Sequence, residues 1–266
     1  NRNNFSLLLS DKNLGFAGAI NRAAKETPAD AFLILNPDID LGGDTVLRLA
    51  RTLERNQSVA LVAPVLINSD RTPQTGFMAR RLPTPTLLIL ELFGIHKIWK
   101  NNPWSSWHRY SPSLELSLLT DRVEKSIFDW QDQPVDIEQP AGACMLICAK
   151  VFNELGGMDE SFYPAWFEDV DLCKRLKNAG QRCCIIPDAI AIHRGGATLD
   201  SMPKKKFQAI FLNNMLLYSR KHFSKMPAMM MELLIPLAWL IRCVLLPSRE
   251  SVAKTIEGPP AKITLS

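Results

Sequence analysis

Phe32-Leu33-Ile34-Leu35 runs straight into Asn36-Pro37-Asp38-Ile39-Asp40. Four apolar residues with no polar alternation read as a short strand buried on both faces. The second segment reads as a stiff turn, because Pro37 fixes its own φ and removes a backbone donor. Open α/β sheets bind ligands at the carboxyl ends of such strands. There Asp38 offers hard oxygens to Mg2+ or Mn2+, and such an ion neutralises a diphosphate. Asn and Asp also satisfy the backbone donors of ordinary turns, so this stretch alone does not decide the chemistry.

The chain on either side repeats the pattern. Residues 5–9 read as a short strand, and Asn13-Leu14-Gly15-Phe16-Ala17-Gly18 as a turn opening a helix with Phe16, Ile20, Ala23 and Ala24 at helical spacing. Asp44 stands where it can cap a second helix, whose apolar face reads as Val46, Leu47, Ala50 and Leu53. Val59-Ala60-Leu61-Val62 is a further buried strand, as is Gly142 to Cys148; Cys183 to Ile186 and Ile190 to Ile192 read as two more. Alternating strands and helices predict an α/β fold with a mainly parallel sheet between helical layers. From about 68 to 135 the pattern breaks. That stretch is rich in proline and holds Trp99, Trp104, Trp107 and Trp130, four of the six tryptophans. It reads as a long, partly mobile insertion over the sheet.

Composition bounds the class. The chain has 266 residues, 47% hydrophobic and 22% charged, enough to bury one large domain core. A net charge of +4 suits anionic partners such as sugar nucleotides or a lipid surface, and nothing calls for a nucleic-acid partner. None of the six cysteines forms a Cys-x-x-Cys pair with a downstream mate, which argues against structural zinc. Their apolar settings read as buried thiols in a reducing compartment, so a cytoplasmic location is expected. The chain opens on Asn1, inside what reads as a strand, and no signal peptide is seen; a fragment is the expectation.

Two further segments carry candidate chemistry. In Phe167-Glu168-Asp169-Val170-Asp171-Leu172, Leu172, Leu176 and Ala179 share a helical face and Gly180 marks the stop, so the acids lie in a first turn. Acids there complement the helix dipole, which explains one carboxylate well and three in four positions less well. A carboxylate at that mouth can take a proton from a hydroxyl. In Ile192-His193-Arg194-Gly195-Gly196, His193 closes a strand where it can ligate a metal or touch a phosphate, and the glycines permit close backbone approach.

The order of the pieces is more specific than any one of them. Asn13-x-Gly15-Phe16-Ala17-Gly18-Ala19-x-Asn21, Leu35-Asn36-Pro37-Asp38, Pro140-Ala141-Gly142-Ala143, Gly156-Gly157-Met158-Asp159-Glu160-x-Phe162, Glu168-Asp169-Val170-Asp171-Leu172-Cys173-x-Arg175 and His193-x-x-Gly196-x-Thr198 follow one another. Over roughly residues 5–220 this succession resembles the family 2 glycosyltransferases of the GT-A fold, and most of all their rhamnosyltransferase-like branch. The resemblance implies inverting transfer of a sugar from a nucleotide-sugar to a hydroxyl of a glycan or lipid-linked acceptor, with a deoxyhexose such as rhamnose as the sugar. It implies Asp38 as metal ligand, Asn36 in place of the family's first acid, Asp40 nearby and His193 on metal or diphosphate. Asp169 matches the general base, and Glu168 would position it or the acceptor. Gly142 and Ala143 would line donor sugar and acceptor; Asn13, Gly15 and Phe16 match the part near the nucleotide. The family's opening strand and its Val-Asp-Asn-x-Ser-x-Asp segment have no counterpart in this chain. A non-catalytic sugar-nucleotide or glycan-binding domain of the same fold is the alternative.

The glycosyltransferase domain is expected over 1–222, with a hydrophobic helical segment and tail over 223–266. Met226 to Leu246 is rich in Met, Leu and Ile but contains Pro227, Glu232, Pro236 and Arg242. A membrane span wants ~20 nearly uncharged residues. The run stays open between a span, a helix lying at a membrane surface and a helix docked on the core.

Overall fold

The computed structural model describes residues 6–74, 76–94, 134–194 and 202–244. Its main sheet contains β1 (Ala31–Leu35), β2 (Ile39–Leu41), β3 (Val59–Ile67), β5 (Val135–Ile137), β7 (Cys144–Cys148) and β8 (Arg182–His193), while β4 (Ala79–Arg80) pairs with β6 (Gln139–Pro140). The strand order is β1-β7-β3-β8-β2, and β5 lies along β8 as well. Only the β3–β8 pairing is parallel; β1–β7, β3–β7, β2–β8 and β5–β8 are antiparallel. The mainly parallel sheet expected from the sequence is therefore a mixed one. β1, β3 and β8 do run the same way, but β7 is interleaved between β1 and β3 in the opposite sense. An unbroken apolar run such as Cys144–Ile147 encodes burial on both faces and carries no information on direction.

Seven helices are described: α1 (Gly15–Glu26), α2 (Thr45–Arg55), α3 (Pro85–Leu92), α4 (Ala149–Glu154), α5 (Glu168–Asn178), α6 (Lys204–His222) and α7 (Lys225–Val244). β3 is buried throughout and contributes residues to two cores. Val59 and Val62 pack with Leu49 of α2, while Leu61 and Val65 join the larger core with Leu172 and Leu176 of α5 and with Met215 and Tyr218 of α6.

Four local expectations are corrected. Residues 6–10 form no strand, and Leu7 and Leu9 are 68% and 74% exposed; among the described residues no strand gives them ladder partners. α2 turns Thr45, Leu49 and Thr52 inward and leaves Val46 and Leu47 exposed, because Thr45 Oγ1 anchors the first turn by donating to the Ile190 carbonyl (2.6 Å). Asp44 makes no capping hydrogen bond and instead takes Arg48 at 2.6 Å, which holds its carboxyl below the usual range. The two short strands expected over 183–192 are one strand, and its register against β3 jumps between Ile186 and Ile190, across Pro187. Within the stretch expected to be an insertion, Met78, Ala79, Leu82, Leu88 and Leu92 are buried, with α3 against α6 and α7. The four tryptophans of that stretch lie outside the described residues.

α6 and α7 form a helical hairpin joined by Phe223 and Ser224. Arg242, near the end of α7, is 1% exposed: its Nε donates to Gln208 Oε1 (2.6 Å), its Nη1 to the Glu91 carbonyl (2.5 Å), and its guanidinium lies 5.2 Å from the Phe211 ring centre. One of the two charges that counted against a membrane span is thus bound inside the protein, and one face of this helix is docked on the core. Among the described residues no helix is long and apolar enough to cross a membrane.

Candidate active site

The loop before α5 is held in an unusual shape. Trp166 and Phe167 have φ of 78° and 77°, both in the left-handed region. Such residues cost on the order of 1–3 kcal/mol each and persist where surroundings over-determine them. Here α6 supplies much of that constraint: Asn214 Nδ2 donates to the carbonyls of Ala165 (2.9 Å) and Trp166 (3.0 Å), and the Phe167 ring packs against Phe211 and Tyr218. From the other side, Phe16 N–H donates to the Pro164 carbonyl (2.7 Å) and Tyr163 OH to the Asn13 carbonyl (3.3 Å). Gly15 has φ +71°, and a Cβ there would lie 2.8 Å from the Pro164 oxygen. The Asn13–Phe16 turn therefore buttresses the loop that delivers Asp169.

Asp169 sits in the first turn of α5, half-buried. Its Oδ1 accepts from Val170 N–H (2.8 Å), and its Oδ2 from Gly142 N–H (3.2 Å) and Gln139 Nε2 (3.4 Å). Gly142 allows this approach, since a Cβ there would stand 3.1 Å from both Asp169 Cβ and Oδ2. One residue on, the Ala143 carbonyl accepts from Asn36 N–H (2.9 Å). The Gly142–Ala143 loop thus joins the two acidic clusters, more than a hundred residues apart in sequence.

The three acids of the α5 mouth occupy different environments. Glu168 is 5% exposed, its Oε2 has no hydrogen-bond partner, and burial together with the Asp169 charge pushes it up to about 9, so it is neutral near pH 7. Asp171 is fully buried and bound by Arg175 Nε (2.7 Å), His222 Nε2 (2.7 Å) and Lys221 Nζ (2.8 Å). Burial raises its carboxyl, but the hydrogen bonds from His222, Lys221 and Arg175 outweigh that and leave it lowered. Asp171 therefore pins α5 to the end of α6, leaving Asp169 as the accessible acid.

Asp38 follows β1, and its Oδ1 is buried with no partner. Its Oδ2 lies 3.5 Å from His193 Nε2. Gln74 fixes that ring: its Nε2 donates to the His193 carbonyl (2.8 Å) and Asn68 Oδ1 (2.8 Å), so its Oε1 faces His193 Nδ1 at 2.9 Å. Nδ1 then carries a proton toward Gln74, and in the uncharged imidazole Nε2 turns a lone pair toward the carboxylate. Two acceptors facing each other, with an orphaned oxygen beside them, fit a shared cation. Asp40 is engaged elsewhere, by Arg194 Nη2 at 2.6 Å and Nε at 3.0 Å on an exposed edge. Among the described residues no cluster of three or more His, Cys, Asp or Glu side chains gathers. Asp38 and His193 would be a partial ligand set, completed by diphosphate oxygens and water, the usual habit of Mg2+ sites.

Sequence reading missed Gln74, Phe77, Arg80 and Gln139. Phe77 stacks on His193 (5.2 Å, 13°), and the Arg80 guanidinium lies 5.5 Å from the Phe77 ring centre with its Nε buried and unpartnered. Arg80 pairs in register with Gln139, which donates to Asp169. Residues 74–80 show no periodicity and no recognised motif, and Gln139 stands just outside Pro140-Ala141-Gly142-Ala143, so only the three-dimensional contacts reveal them. Gly195 and Gly196 lie outside the described residues.

No protein-family model matches the chain. It is 25% identical over 254 residues to the N-acetylglucosaminyl-diphospho-decaprenol L-rhamnosyltransferase of Mycobacterium tuberculosis, covering 90% of this chain and 72% of that one. It is 27% identical over 172 residues to a rhamnosyltransferase of Escherichia coli, covering 64% and 54%. In fold it is similar to the crystal structure of GalNAc-T7 with UDP, GalNAc and Mn2+, at a TM-score of 0.52 and 14% identity over 79% of this chain and 35% of that one. The chain has the GT-A fold of glycosyltransferases. Its relatives include rhamnosyltransferases, as the motif order implied.

Proposed function

We propose that this protein moves a deoxyhexose, with rhamnose as the leading candidate, from a nucleotide-sugar to a hydroxyl of a lipid-linked glycan precursor, inverting the anomeric centre. The observation that carries this reading is the Gly142–Ala143 loop, which hydrogen-bonds both Asp169 and Asn36 and so ties a proton-accepting carboxylate to a cation-binding one.

In this reading Asp169 takes the acceptor hydroxyl proton as the oxygen attacks the anomeric carbon. The bond from that carbon to the diphosphate breaks, and the nucleoside diphosphate leaves with the bonding electrons. A positioned general base contributes about 10²–10⁴-fold. Gly142 N–H and Gln139 hold the carboxylate in place, and the neutral Glu168 beside it adds no second negative charge to repel the developing alkoxide. Asp38 and His193 would hold a divalent ion, which when bound supplies charge neutralisation for the diphosphate. Arg80, beside Phe77 and His193, adds a fixed positive charge on that side of the site. The acceptor class rests on the decaprenol-linked substrate named for the mycobacterial relative.

The test is transfer from a panel of labelled nucleotide-sugars, with Mn2+, to a polyprenyl-diphosphate-linked sugar, followed by extraction of the lipid product and NMR of its new linkage. A product of inverted configuration is expected. Retained configuration, or no transfer from any donor, would refute the reading.

A further inference from the structure

α7 presents an apolar stripe to the outside. Met226, Met229, Met230, Leu233, Leu237 and Leu240 are 46–80% exposed and recur every three to four residues, so they share one face over about 20 Å of helix. The opposite face, with Ala228, Met231, Ala238 and Arg242, is buried against the rest of the fold. These six make up a large part of the exposed large apolar side chains among the described residues. A contiguous apolar strip of this kind marks an interaction surface.

Charge identifies the partner. Residues 204–244 hold seven Lys and Arg against one acid, Glu232; Arg242 is buried and Lys221 is bound by Asp159 and Asp171, and the exposed cations at the ends of the stripe are lysines. Lys225 opens α7 at one end of the stripe. Lys205 and Lys206 lie at the other end, because Gln208 of the first α6 turns meets Arg242 of the last α7 turn at 2.6 Å. All three lysines are exposed. Glu232 is matched by Arg220 at 2.5 Å and adds no unpaired negative charge.

We propose that this face of α7 docks on the surface of an anionic lipid bilayer, with the helix in the plane of the interface, the Met and Leu side chains among the acyl chains and the lysines on lipid headgroups. A second copy is the poorer occupant, since the exposed lysines at the ends of two such stripes would meet like charge. The inference rests on the proposed function only in that a lipid-linked acceptor is reached from a membrane surface.

The test is flotation of the full chain with vesicles of phosphatidylcholine, with and without phosphatidylglycerol, without any donor. The wild type is expected to float with the anionic vesicles and to be released by high salt. Leu233→Glu with Leu237→Glu should weaken binding by about tenfold or more, and Lys205→Glu with Lys206→Glu by about tenfold, with unchanged circular dichroism and unchanged nucleotide release on a soluble acceptor analogue. Equal binding by the leucine variants, wild type that stays with the soluble fraction, or a dimer that Leu233→Glu dissolves would each overturn the proposal. Vesicle binding without nucleotide release would instead leave this surface standing and count against the transferase reading alone.

Discussion

Glu168→Gln should become more stable than the wild type as the pH rises. Glu168 is 5% exposed and its Oε2 has no partner, so ionising it in place is costly. Burial first, and then the neighbouring Asp169 charge, raise it from 4.5 to about 9 in the folded chain. Between those values the folded state holds a proton that the unfolded state has released. Stability is therefore greatest at the acid end of that window and falls as pH rises through it, by about 1.4 kcal/mol per pH unit at most. From pH ~5.5 to ~7.5 the loss reaches about 3 kcal/mol, a large share of a typical domain's stability of about 5–15 kcal/mol. Glutamine keeps the shape and does not titrate, so this contribution vanishes in the variant. Urea denaturation across that range should show wild type losing stability relative to Glu168→Gln, with the gap widening with pH. Parallel curves for the two proteins would refute the buried, neutral state assigned to Glu168.

Three other outcomes rest on the same contacts. Gly142→Ala places a methyl 3.1 Å from the Asp169 carboxylate and should lower turnover at least tenfold while moving the unfolding midpoint little, read by nucleotide release beside a thermal melt. Asp171→Asn leaves Arg175, Lys221 and His222 without their anion and should cost roughly 3–5 kcal/mol, seen as a drop in melting temperature on the order of 10 °C. Chelation, or Asp38→Asn, should weaken binding of the nucleoside diphosphate in a calorimeter, and added Mn2+ should restore it in the chelated wild type but not in the variant.

Much of the fold was legible because burial writes itself into sequence. The unbroken runs at Phe32–Leu35 and Val59–Val62 became β1 and β3, and Leu172 and Leu176 face the core as their spacing implied. Strand direction was not legible, since β7 looks the same whichever way it runs. The faces of α2 were misread because Thr45 and Thr52, polar on paper, are buried with their hydroxyls bonded to the carbonyls of Ile190 and Arg48. In the site, Asp38, His193 and Asp169 stood out through residue type and motif order. Asp40 did so equally and is held by Arg194 instead, a pairing across 154 residues that spacing cannot reveal. Gln74 and Gln139, which aim His193 and Asp169, have no signature beyond their partners.

The most direct measurement is release of nucleoside diphosphate by the wild type and by Asp169→Asn, each supplied with nucleotide-sugar, Mn2+ and acceptor, alongside calorimetric binding of the donor. The proposed function gives Asp169 the acceptor proton and Asp38 with His193 the donor side. Donor binding should then survive the substitution while release falls about 10²–10⁴-fold. Release at the wild-type rate by Asp169→Asn, or donor binding lost together with turnover, would contradict that division of labour.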